Sequence, residues 1–90
     1  MNKDELVRTV AKAEGITLVA AKSVIETTIS VIMAGTANGG VAIKGFGTFK
    51  NVAKPARIGR NPSNGKSINI AAKNVVKFVP GKDFKDYMNL

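Results

Sequence analysis

Ninety residues, with fourteen Lys and Arg against six Asp and Glu, make one small domain of formal net charge +8, near the lower limit of what a single core stabilises alone. Cysteine and histidine are both absent, which excludes disulfide staples, thiolate or imidazole catalysis and the usual zinc sites. No catalytic set, metal site, cofactor or small-molecule substrate is expected, and the chain does not read as an enzyme.

The charge is segregated along the sequence. Residues 1–40 balance Lys3, Arg8, Lys12 and Lys22 against Asp4, Glu5, Glu14 and Glu26. Residues 41–90 hold ten cations against Asp83 and Asp86 alone, and no acid lies between Glu26 and Asp83. A neutral half joined to a cationic half predicts a scaffold that carries a polyanion-binding surface.

Taken in order, Asn2 is placed to cap a first helix, with Glu5 completing a capping-box-like pattern. Leu6, Val7, Val10 and Ala11 form its apolar stripe, and Gly15 ends it. Thr17 caps a second helix with a stripe of Ala21, Val24, Ile25, Thr28, Ile29, Ile32 and Met33. That stripe is wider than one short partner helix can cover, which predicts a second subunit against it. Asn38-Gly39-Gly40 breaks the helix; residues 41–44 read as a short strand and Gly45-Phe46-Gly47 as a tight turn. Residues 48–60 and 66–78 read as two long strands around a turn, and Lys82 onward as a short helix with Phe84, Tyr87 and Met88 on one face. The expected fold class is α+β: a helical hairpin, a three-stranded antiparallel sheet with a protruding β-ribbon arm, and a C-terminal helix. The organisation is one domain over 1–90, with a helical dimerisation base (1–40), the sheet (41–80) with its arm at about 53–74, and the final helix (81–90). An arm that leaves the body deprives the core of residues, and a homodimer sharing the second helix and the sheet would make up the shortage.

No apolar h-region opens the chain, and its purely apolar runs reach only four or five residues. A soluble intracellular protein with no membrane partner is therefore expected. Gly45-Phe46-Gly47 and Gly65-Lys66-Ser67 resemble fragments of nucleotide-binding loops, but the remaining glycines and the following helix are missing.

The ribbon carries the chemistry. Lys54, Arg57, Arg60, Lys66 and Lys73 line it, with Lys50 and Lys77 nearer the body. Its turn, Asn61-Pro62-Ser63-Asn64-Gly65, combines two turn dipeptides and sets the rigid ring of Pro62 at the tip. Arginine suits electronegative minor grooves and lysine suits phosphate. Between Phe49 and Phe78 there is no aromatic residue, which disfavours single-strand stacking platforms and leaves duplex DNA as the best partner. Pro62 is then the candidate wedge between base pairs.

Gly45-Phe46-Gly47-Thr48-Phe49, Gly59-Arg60-Asn61-Pro62 and Phe78-Val79-Pro80-Gly81-Lys82 resemble the HU/IHF family of bacterial histone-like proteins. The likeness spans essentially the whole sequence. It implies an intertwined homodimer, or a heterodimer with a paralogue, whose arms enter the minor groove and whose tip proline intercalates and bends the duplex. It also implies a cytoplasmic, nucleoid-associated protein. Arg57, Arg60 and Asn61 match the family's arm contacts, Asn64 lies in the same turn, and Lys82 and Lys85 match basic positions on the body. Phe46, Phe49 and Phe78 match core aromatics. Site-specific bending in the IHF manner, or binding of RNA or an acidic partner, are the competing readings. Three departures stand out: Asn51 where an inward apolar residue is expected, Pro55 inside an arm strand, and Ala71 in place of a common proline. For Asn51 two outcomes are open, a bulge that shifts the alternation or burial with a partner group.

Overall fold

The computed structural model describes all residues, 1–90, as two compact units, Met1–Ala34 and Gly35–Leu90. The fold class is α+β: two helices, five short strands and a third helix.

In the first unit, α1 (Lys3–Glu14) starts where the Asn2 side chain accepts the Glu5 N–H at 2.9 Å and ends at Gly15, whose φ of 65° gives a left-handed cap. Helix α2 (Leu18–Ala37) is capped by the Thr17 hydroxyl, which accepts the Ala20 N–H at 3.1 Å. The hairpin core is small. Val7 and Ala11 of α1 meet Ala21 of α2, with Val10 and Ile25 packed partly against them. Much of the expected α2 stripe stays in the open: Val24 is 59% exposed, Ile29 42% and Met33 67%. By length and composition α2 would suffice to cross a membrane, although its apolar runs are short. Its Lys22 and Glu26 instead mark a helix with one solvated side, and Glu26 pairs with Lys3 at 3.2 Å.

In the second unit, β1 (Gly40–Ile43), β2 (Gly47–Lys54) and β5 (Lys73–Pro80) form an antiparallel sheet in the order β1-β2-β5. A separate two-stranded ribbon pairs β3 (Arg57–Arg60) with β4 (Ser67–Ile70). The two long strands expected from the sequence are therefore each interrupted, at Pro55-Ala56 and at Ala71-Ala72. The interruptions face one another: Lys54 pairs with Lys73 on one side and Arg57 with Ile70 on the other, two residues intervening in each strand. Register is thus conserved across the break. Pro55 has no N–H to donate, so the ladder lapses where it stands.

The sheet's apolar face holds Phe49 and Phe78, ring centroids 4.8 Å apart, joined by Phe46 at 5.3 Å from Phe78. Helix α3 (Lys82–Met88) adds Phe84, 5.4 Å from Phe46. Of the face expected on this helix only Phe84 packs; Tyr87 and Met88 are exposed. Phe46 also remains 41% exposed, so the cluster is only partly covered. Asn51 lies on this same face, and β2 pairs with β5 residue for residue through it without a bulge. Its Nδ2 donates to the Ala37 carbonyl at 3.2 Å. Of the two outcomes the sequence left open, the bulge is absent and the partner group is present, although Asn51 is only half-buried: it satisfies a carbonyl at the end of α2.

Candidate nucleic-acid interface

Alternation along β2 and β5 sorts the cations. Lys50 faces Lys77 and Lys54 faces Lys73, as direct cross-strand partners separated by the Val52–Val75 pair. All six side chains share the face opposite the phenylalanines. Antiparallel partners sit about 5 Å apart at Cα, and the two lysine pairs are roughly 13 Å apart along the strands. Like charges directly opposite one another destabilise a sheet. The one ion pair of the fold, Lys3–Glu26, lies in the helical unit, so no carboxylate relieves these lysines. Lys50 matters more here than its sequence position suggested. Its i, i+4 spacing from Lys54 was a legible signal, but its pairing with Lys77 needed the register.

Beyond the interruption, Arg57 and Arg60 stand on opposite faces of the ribbon. Arg57 shares its face with Gly59, Ile68 and Ile70, whereas Arg60 shares the other with Ile58, Ser67 and Asn69. Gly59 is there because the ribbon is thin: a Cβ at this position would lie 2.8 Å from Ile70 Cδ1. The isoleucines close over the bare backbone and stiffen one side. Ile58 on the other side is 75% exposed.

The tip is a tightly bonded turn. Asn61 N–H donates to the Lys66 carbonyl and Gly65 N–H to the Asn61 carbonyl, both at 2.8 Å. Asn61 Oδ1 accepts from Ser63 N–H, and Asn64 Oδ1 from Lys66 N–H, each at 2.9 Å. The carboxamide oxygens of both asparagines are thus committed to the turn. Pro62 is exposed at the apex, with Lys66 exposed just before β4. Lys82 and Lys85 are exposed on α3.

The sequence profile of the bacterial DNA-binding protein family matches residues 1–89. Among curated proteins, the sequence is 43% identical to DNA-binding protein HRL53 of Rhizobium leguminosarum, covering 99% of both. It is 44% identical to DNA-binding protein HU-alpha of Vibrio cholerae, covering 96% of this protein and 97% of that one. Among solved structures, it superposes on HU from an Anabaena HU–DNA cocrystal with a TM-score of 0.88 at 35% identity, covering 98% and 97% of the two proteins. A solution structure of a mutant of transcription factor 1 is similar at a TM-score of 0.66 and 32% identity, covering 99% of this protein and 91% of that one.

Proposed function

This chain belongs to the HU/IHF family of bacterial DNA-binding proteins, an architectural and non-enzymatic family, and from that premise we propose that it binds duplex DNA with little sequence preference and bends it from the minor groove. The observation that carries this reading is the uncompensated pairing of Lys50 with Lys77 and Lys54 with Lys73 on one sheet face, continued by a ribbon with an arginine on each side. A polyanion relieves the repulsion that the sheet cannot relieve itself. A ribbon lying in a minor groove has phosphate walls on both sides, and Arg57 and Arg60 point one cation toward each.

In this reading Lys54, Arg57, Arg60, Lys66, Lys73 and Lys77 neutralise phosphates along the groove, together with Lys50. Asn61 and Asn64 contribute their Nδ2 donors. Lys82 and Lys85 hold the duplex where it runs over the body, and Pro62 enters a base step. Unstacking that step costs a few kcal/mol, offset by the contacts that a bent duplex permits. The working form is a homodimer, with α2 and the half-open phenylalanine cluster as the faces a second copy covers. Two wedges set apart by one body make a bending device. The setting is cytoplasmic and nucleoid-associated.

Salt dependence tests the reading. A dimer that displaces counterions at about 8–10 phosphates gives a log–log slope of roughly −7 to −9 on random-sequence duplex DNA. A slope shallower than about −3, or equal affinity for matched double-stranded RNA or an acidic protein, would overturn it. Competition between a candidate site and bulk DNA separates non-specific from site-specific bending.

A further inference from the structure

We propose that Asn64-Gly65 at the ribbon tip is a site of spontaneous deamidation, through which a wholly cationic ribbon acquires a negative charge. Cyclisation of an asparagine needs the next backbone nitrogen to reach Cγ, and glycine obstructs that approach least because it has no Cβ. Two asparagines precede glycine, Asn38 and Asn64. Asn51, Asn69 and Asn74 precede β-branched residues, and Asn61 precedes Pro62, whose nitrogen carries no hydrogen to lose.

The step needs only water. Gly65 N gives its proton to solvent base and bonds to Asn64 Cγ; Nδ2 takes a proton from water, the bond from Cγ to Nδ2 breaks, and ammonia departs. Water then opens the five-membered imide in one of two ways. Breaking the bond between Gly65 N and Cγ yields aspartate. Breaking the bond between Gly65 N and the backbone carbonyl carbon of Asn64 yields isoaspartate.

Local geometry favours Asn64 over Asn38. Lys66 N–H donates to Asn64 Oδ1 at 2.9 Å, which draws electron density from the carbon under attack. The flanking cations Arg60 and Lys66 favour the amide anion and the oxyanion that follow. In the closed turn Gly65 N–H is donated to the Asn61 carbonyl at 2.8 Å, so reaction proceeds when that bond opens and the shorter-range contact of Asn64 with Lys66 is kept. Opening is easy there, because the tip is exposed and rests on strands of four residues, and two-stranded ribbons are marginally stable. Asn38-Gly39 is anchored instead. Gly39 N–H bonds the Thr36 carbonyl at 3.2 Å, Thr36 is buried, and Gly40 already pairs with Lys50 in the sheet.

The product is the first carboxylate anywhere between residues 27 and 82. The isoaspartyl form also routes the backbone through Cβ and dismantles the turn that Asn64 closes. The effect on DNA rests on the function proposed above; the modification itself does not.

Incubating the full-length protein in mildly alkaline and mildly acidic buffer, digesting with trypsin and weighing the fragments tests both. Residues 61–66 should gain the mass of an amide-to-acid conversion, faster in alkali, as a mixture of aspartyl and isoaspartyl forms at Asn64. Residues 23–44, which contain Asn38, should lag roughly tenfold or more, the ratio an opening difference of about 1.4 kcal/mol produces. No conversion in residues 61–66 in alkali, or equal conversion of both fragments, would overturn the site. Converted protein should bind random-sequence duplex more weakly, with a salt slope shallower by about two per dimer. Conversion with unchanged affinity would uphold the modification and refute the role given to the arm tip.

Discussion

The helical unit and the ribbon present opposite surfaces. Residues 1–34 carry balanced charge and their one ion pair, yet leave Val24, Ile29, Val31 and Met33 largely exposed. Residues 57–70 carry only cations around a bonded turn, and beside a thin layer of isoleucine they bury almost nothing. Each surface is costly in isolation, the first in apolar area left in water and the second in cations that no carboxylate accompanies. In the proposed reading the two costs are met by different partners: an apolar copy of the same protein for the helices, and a polyanion for the ribbon.

That contrast breaks most sharply at α2. Ile29→Asn sets an amide where the second copy should pack, and should cost about 2–7 kcal/mol of dimer stability. Sedimentation and concentration-dependent melting would show dissociation; an unchanged dimer would refute the assignment of α2 as the shared face. Pro62→Ala comes next in size and tests only the ribbon. Binding to intact duplex should weaken, while binding to gapped duplex, where the step is already open, should hold. Equal loss on both substrates would remove the wedge.

Smaller changes sharpen the contrast within the sheet. Asn51→Ala removes the donor to the Ala37 carbonyl and should lower stability by about 0.5–1.5 kcal/mol in denaturant melts, with the DNA salt slope unchanged. Lys77→Gln should do the reverse. Relief of its repulsion with Lys50 should raise stability by no more than about 0.2–1 kcal/mol, since solvent screens the exposed pair, while DNA affinity falls. A lysine whose loss stabilises the fold and weakens binding is there for its partner. A variant that loses both would show that Lys77 serves the sheet.

Much of this was legible from residue order. Asn2, Gly15 and Thr17 act within three or four residues of themselves, so the helix ends they set are local events and were visible in the sequence. The turn at residues 61–65 is equally local, as is the segregation of charge. The strand interruption was half visible: Pro55 marks one side of it, but nothing in Ala71-Ala72 signals a break until the register places those residues opposite the proline.

What the sequence determined by itself was the charge plan, the element order and the apex proline, because each depends on side chains or on backbone preferences a few residues wide. Tertiary structure decided the rest. Only strand pairing could set Lys50 against Lys77 and Lys54 against Lys73, and only packing of β2 near the end of α2 could give Asn51 its partner. Those relations join residues far apart in sequence, and a one-residue change of register would have broken both lysine pairs.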